Sequence, residues 1–69
     1  MATSGLDLRL ERVAARVKLI DLGPRMGRDR RTVARYEGLA VVPDEIVTEY
    51  REALATFDDV ATTTRGNAA

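Results

Sequence analysis

Apolar residues recur at helical spacing along most of the chain, and residues that favour helix ends separate the runs. The first run follows Ser4, which forms a capping-box pattern with Asp7 three positions later. It predicts a helix from about Gly5 to Lys18. The residues expected on its core face are Leu6, Leu10, Val13, Ala14 and Val17.

The strongest apolar pattern begins after Pro43, where Asp44 and Glu45 supply the acidic first turn of a helix. We expect this helix to run to about Thr56. Its core face is expected to contain Ile46, Val47, Tyr50, Ala53, Leu54 and Phe57. Few large apolar residues follow, so residues 1–57 are predicted to form one domain and residues 58–69 a short disordered, flexible tail.

Gly23 and Pro24 interrupt the apolar pattern between these two helices. If Asp21 is an N-cap, Pro24 lies in the first helical turn, where no backbone amide is needed. This arrangement predicts a short helix from about Leu22 to Met26. The alternative is a longer helix that bends around Pro24.

Residues 27–37 contain the most informative pattern of the chain. Gly27 suits a left-handed turn, Asp29 is a good N-cap, and Gly38 follows the segment. A helix from Arg30 to Glu37 places Thr32, Val33 and Tyr36 on one side. The other side carries Arg30, Arg31, Ala34 and Arg35. The pattern therefore predicts a capped helix with a core face and an arginine-rich contact face.

Composition leaves little chemistry for an enzyme. The 69 residues include no Cys and no His, which removes zinc sites, thiol nucleophiles and imidazole bases. The carboxylate pairs Glu49/Glu52 and Asp58/Asp59 have no other ligand type nearby and are interpreted as solvated. We expect no catalytic residue, no cofactor and no metal ion.

The formal net charge of zero hides a separation of charge along the chain. Residues 9–35 hold nine basic and three acidic side chains, a local net of +6, whereas residues 36–69 hold two basic and seven acidic side chains, a local net of −5. Of the eleven basic residues ten are arginine, which can form paired hydrogen bonds with guanine or phosphate. A basic first half indicates a nucleic-acid partner.

Two short helices joined at a glycine, the second with a cap and a polar outer face, form the helix-turn-helix pattern. The segment from Leu8 to about Leu54 resembles the Cro/repressor-type helix-turn-helix family of phage and bacterial transcriptional regulators. The resemblance rests on two groups of residues: Leu22, Gly23, Met26 and Gly27, then Asp29, Thr32, Val33, Arg35, Tyr36 and Glu37. It implies an all-α, lambda-repressor-like domain of four helices, with a small residue at the helix crossing (Gly23) and an aliphatic core residue (Val33).

The chain also departs from the family pattern. The family often opens its second helix with a Ser or Thr cap followed by Gln, whereas this chain has Lys18 and Leu19. The resemblance nevertheless implies a Cro-like repressor that occupies operator DNA in the major groove. Arg31 and Arg35 are the candidates for base contacts, and Arg30 for phosphate. The further candidate DNA contacts are Thr32, Ala34, Arg28, Lys18, Arg12 and Arg16.

Glu37 is expected to pair with a basic neighbour, for which Arg25 is a candidate, and so to orient the arginine helix. The segment Leu39 to Pro43 is too apolar for an ordinary loop and is expected to cross the core or an interface. Val41, Val42 and Phe57 predict a homodimer, because a second copy would cover them. The alternative is that these residues close the core of the monomer.

The alternative function is a protein-interaction module, antitoxin-like or antirepressor-like, that uses the Leu39 to Val42 loop and the last helix. An RNA-binding function is disfavoured because one Phe and two Tyr make too small a stacking platform. No apolar run approaches the length of a membrane span, and Met1 to Leu8 lacks the basic-then-apolar order of a signal peptide. The expected location is the cytoplasm of a bacterial host cell.

Overall fold

Four helices make up most of the computed structural model, which describes the backbone of residues 2–68 and the side chains of residues 2–57. They are α1 (Gly5–Ala14), α2 (Leu19–Arg25), α3 (Arg30–Glu37) and α4 (Asp44–Ala68). Within residues 2–68 the only β pairing is an isolated antiparallel bridge between Thr3 and Val42. The predicted all-α class is therefore confirmed for this part of the chain.

Helix α1 begins as predicted but ends earlier. The hydroxyl of Ser4 accepts from the amide of Asp7, and the Asp7 carboxylate accepts from the amide of Ser4, which completes the capping box. The predicted end at Lys18 is wrong, because Arg16 takes a left-handed conformation, with φ of 60°, that no helix continues. The turn directs Val17 back into the core.

Most of the predicted core face of α1 is also wrong, and only Val17, in the turn after the helix, is buried as expected. Leu8 is fully buried, whereas Leu6, Leu10 and Val13 are 55%, 57% and 53% exposed. Leu8 and Arg12 are four positions apart and therefore share the inward face. Because the inward face carries the charged Arg12, the opposite face has the more apolar pattern. That pattern predicts the wrong face as the core.

Helix α2 starts at Leu19, after Lys18 as N-cap, and contains Pro24 near its end. The predicted short helix from Leu22 to Met26 is wrong, and Asp21 lies in the first turn rather than at the cap. The longer alternative containing Pro24 is closer to the structure. Pro24 has no amide to bond to the Ile20 carbonyl, and the helix ends one residue later.

Helix α4 begins at Asp44 as predicted, but it continues to Ala68 rather than ending near Thr56. Its buried residues Val47, Tyr50, Ala53 and Leu54 confirm most of the predicted core face, and Ile46 and Phe57 are half-buried beside them. The predicted flexibility of residues 58–69 lies outside the residues whose side chains the structure describes.

The core closes within one copy of the chain. It is formed by Leu8, Val17, Leu22, Met26, Val33, Val42, Val47, Tyr50, Ala53 and Leu54. Val42 is 1% exposed, and the guanidinium carbon of Arg25 lies 4.3 Å from the centre of the Phe57 ring. Val42 therefore needs no second copy as cover, contrary to the prediction, and Phe57 is partly covered within the monomer. Val41 remains exposed.

Candidate nucleic-acid interface

Helix α3 has the two faces that its sequence predicts. The Asp29 side chain accepts from the amide of Arg31 at 3.0 Å, and Gly27 has a φ of 68° in the turn before it. Val33 is fully buried, and Thr32 and Tyr36 are half-buried. The exposed residues are Arg30, Arg31, Ala34 and Arg35. Four of the candidate contacts therefore share one solvent-facing surface, which we call the arginine face, and Thr32 lies at its margin.

Gly23 fixes how closely α2 packs against the start of α3. A Cβ atom at this position would lie 2.8 Å from the carbonyl oxygen of Arg28 and 3.1 Å from the amide nitrogen of Arg30. Both neighbours are backbone atoms, so a side chain here would push the two helices apart. The small residue expected at this crossing is required by the close approach of α2 and α3.

The C-terminal end of α3 is held by a network of mostly buried polar side chains that links three helices. Arg12 of α1 donates to Glu37 through Nε at 2.7 Å and Nη2 at 3.2 Å, and through Nη1 to the Val17 carbonyl at 2.9 Å. The hydroxyl of Tyr50, from α4, lies 2.6 Å from Oε2 of Glu37 and 3.0 Å from the Leu8 carbonyl oxygen. We call Arg12, Glu37 and Tyr50 the polar network.

This network corrects two predictions. Glu37 pairs with Arg12 and not with Arg25, which instead donates to the Thr56 hydroxyl at 2.7 Å. The side chains of Arg12 and Glu37 are only 12% and 6% exposed. Arg12 therefore cannot serve as the DNA backbone contact that the sequence predicted. Each of its three guanidinium nitrogens donates inside the protein, where these bonds orient the C-terminal end of α3.

Burial raises the pKa of Tyr50 above its usual value of 10.0, and the hydrogen bond to the Glu37 carboxylate raises it further. The neutral phenol is therefore favoured in the folded chain. The hydrogen bond from Arg12 to Glu37 also raises the pKa of the arginine, which stays charged. The network thus contains one carboxylate, one guanidinium and one neutral hydroxyl.

The raised pKa of Tyr50 predicts a loss of stability at alkaline pH. The unfolded phenol ionises near pH 10, whereas the folded one stays protonated, so the stabilisation is complete below pH 10 and falls as the pH rises above it. Between about pH 9 and pH 11.5 the melting temperature of the wild type should fall more steeply with pH than that of Tyr50→Phe. Parallel curves for the two proteins would contradict the role given to Tyr50.

Arg28, in the turn before α3, is exposed but engaged. It donates to Glu49 of α4 through Nε at 3.0 Å and Nη2 at 3.3 Å, and its guanidinium carbon lies 5.7 Å from the centre of the Tyr36 ring. The hydrogen bond to Glu49 raises the pKa of Arg28. The predicted phosphate contact thus has a carboxylate as its partner in the unbound protein.

The described residues form three ion pairs, which are Arg12–Glu37, Arg28–Glu49 and Arg51–Glu11. None of them includes Arg30, Arg31 or Arg35. Lys18 and Arg16 are also exposed and outside these pairs; they lie at the start of α2 and in the turn before it. The structure therefore leaves the cations of the arginine face without a carboxylate partner among residues 2–57.

Other kinds of site find little support in the part of the chain that the structure describes. No group of three or more carboxylates occurs there that could hold a metal ion. None of the helices searched in that part combines the length and apolar character needed to cross a membrane. An open cavity of about 390 Å³ beside α1 and α4 is lined by Glu11, Ala14, Ala15 and Leu54, with a single charged group among them.

Three comparisons with known proteins were made, against family models, curated proteins and solved structures, and none of them found a match.

Proposed function

We propose that this chain is a sequence-specific DNA-binding transcriptional regulator, a Cro-like repressor, in which α2 and α3 act as a helix-turn-helix and α3 enters the major groove of operator DNA. The observation that carries the proposal is the arginine face. Three arginines occupy one exposed side of a capped helix without an ion pair among the described residues, while Arg12, Arg28 and Arg51 are each paired with a carboxylate.

The dimensions of α3 support this proposal. With its side chains an α-helix is about 10–12 Å across, and the major groove of B-DNA, about 12 Å wide, admits a helix of this diameter. Arg31 and Arg35 are four positions apart and lie one above the other on the helix surface. Each guanidinium has the paired donors that bind O6 and N7 of guanine. Ala34 is also exposed on this side, and its small side chain permits close approach to the bases.

The proposal includes two copies of the chain on one operator. A single helix of eight residues reaches few base pairs, and a two-fold dimer places two such helices about 34 Å apart on one side of the duplex. Sequences selected from a random DNA pool are therefore expected to contain an inverted repeat with that spacing.

The second candidate function is protein interaction, and one specific observation favours it. Leu6, Leu10 and Val13 form an exposed apolar stripe on α1, where a solvent-facing helix normally carries polar residues. The loop proposed for this role from sequence offers less, since Val42 is buried and the large apolar residues exposed there are Leu39 and Val41. The arginine face has no role in this alternative.

The test compares charge-matched variants on the selected duplex and on a scrambled one by fluorescence anisotropy. Arg31→Ala or Arg35→Ala should cost about 1–3 kcal/mol on the selected duplex and less on the scrambled one, because base contacts are lost. Arg31→Lys keeps the charge but loses the paired donors, so it should retain scrambled binding and lose selectivity.

Arg51→Ala is the matched control, because it removes the same charge from an exposed residue of α4 and should leave binding unchanged. Wild-type binding should weaken with salt, with a log-log slope of about −0.9 for each phosphate contacted. Equal losses on both duplexes would exclude base reading by α3. Absence of salt-dependent binding would exclude the DNA-binding function and favour protein interaction.

A further inference from the structure

Two ion pairs on the surface have the same geometry but different positions. Arg28 and Glu49 are joined by hydrogen bonds of 3.0 and 3.3 Å, and Arg51 and Glu11 by hydrogen bonds of 3.1 and 2.8 Å. In both pairs Nε and Nη2 of the arginine face the two oxygens of one carboxylate. Only the first pair includes a residue of the turn before α3, since Arg28 lies next to the N-cap Asp29.

The Arg28–Glu49 pair is open to replacement. Its side chains are 36% and 39% exposed, against 12% and 6% for the buried pair of Arg12 and Glu37. Surface pairs of this kind are weak, because solvent screens them and two flexible side chains must be held in place. A phosphate group presents two oxygens to a guanidinium in the same way that a carboxylate does. An approaching phosphate therefore competes directly for Nε and Nη2 of Arg28.

Tyr36 supports the guanidinium whichever anion is bound. Its half-buried ring lies beneath Arg28 at 5.7 Å and is anchored on the inner side of α3. Attraction between the cation and the ring does not involve the hydrogen-bond donors of the guanidinium. The ring therefore keeps Arg28 against α3 when the partner of its donors changes. Release from Glu49 leaves the arginine near the helix that enters the groove.

We propose that Glu49 acts as an intramolecular competitor of DNA: its carboxylate occupies Arg28 in the free protein, and a backbone phosphate replaces it in the complex. This inference rests on the proposed function and adds a regulatory contact to it. DNA binding breaks the Arg28–Glu49 ion pair. The affinity for DNA is therefore lower than it would be if Arg28 had no carboxylate partner in the free protein. Glu49 belongs to α4 and lies outside the arginine face, yet it sets the strength of binding.

The experiment is a double-mutant cycle on the selected duplex with Glu49→Gln, Arg28→Ala and the combined variant, each checked for folding by thermal melting. Glu49→Gln should raise the affinity about two- to fivefold, the equivalent of an exposed ion pair. In the Arg28→Ala background the same change should have a smaller effect, which reflects only the removal of a negative charge. Arg28→Ala should reduce the salt slope by about 0.9 whether position 49 carries Glu or Gln.

Glu11→Gln is the matched control, because it frees Arg51 from an equivalent pair and removes the same charge. It should leave the affinity unchanged. Unchanged or weaker binding by Glu49→Gln, with normal binding by the wild type, would overturn this inference and leave the proposed function intact. An equal gain from Glu49→Gln in both backgrounds would also overturn it, because charge alone would then explain the effect. Absence of wild-type binding to any duplex would overturn both proposals.

Discussion

Replacing Arg12 with alanine is expected to lower the free energy of unfolding by about 3–5 kcal/mol, although arginine is normally a surface residue. The change leaves the Glu37 carboxylate, whose side chain is 6% exposed, without its positive partner. It also removes the donor to the Val17 carbonyl, which closes the turn after α1. A loss of this size is comparable to the entire stability of many small domains. Urea denaturation at low temperature is the appropriate measurement.

Two control variants separate this effect from a general loss of charge. Arg51→Ala breaks an exposed ion pair and should cost less than about 1 kcal/mol. The double variant Arg12→Met/Glu37→Met removes both buried charges and should recover much of the stability, because apolar side chains of similar size replace the pair. Tyr50 then still has the Leu8 carbonyl as its acceptor at 3.0 Å. A cost for Arg12→Ala as small as that for Arg51→Ala would contradict the role of the polar network.

Leu22→Ala is the second change with a large expected effect, a loss of about 2–5 kcal/mol. Leu22 is fully buried in α2, where it packs against the other core residues. Removing most of its side chain opens a cavity in a core of few residues, and a domain of this size has little room to compensate. The midpoint of urea denaturation should shift without a large change in slope.

Ile20→Ala is the matched control, because it shortens another large aliphatic residue of the same helix. Ile20 is 59% exposed, so its replacement should change the free energy of unfolding by less than about 0.5 kcal/mol. Similar losses for both variants would indicate that Ile20 is covered in solution, for example by a second copy of the chain.

Local signals in the sequence predicted the bounds and the two faces of α3 well. The N-cap at Asp29, the left-handed Gly27 and the apolar spacing of Val33 and Tyr36 all act within a few residues, so they define α3 without information from the rest of the chain. The same holds for the capping box at Ser4 and the start of α4 at Asp44. The exposure of Arg30, Arg31 and Arg35 follows directly from the helical period.

These local signals do not predict contacts between residues that are far apart in the sequence. Arg12 and Glu37 are 25 positions apart, and nothing in the spacing of apolar residues shows that a charged pair occupies the core side of α1. The sequence therefore predicts a DNA contact for Arg12 and a core position for Leu6, Leu10 and Val13, whereas in the structure Arg12 is mostly buried and the three apolar residues are exposed. The sequence also does not predict the left-handed conformation of Arg16, because no local pattern indicates that conformation for an arginine.

The most direct test of the proposed function is a nuclear magnetic resonance titration of the ¹⁵N-labelled chain with the selected duplex. The account predicts that the largest amide shifts occur in residues 28–37, at the turn and α3, and at Lys18 at the start of α2. Small shifts are expected along the exposed stripe of Leu6, Leu10 and Val13. Shifts concentrated on that stripe, or no shifts at any duplex concentration, would contradict the claim that α3 binds DNA.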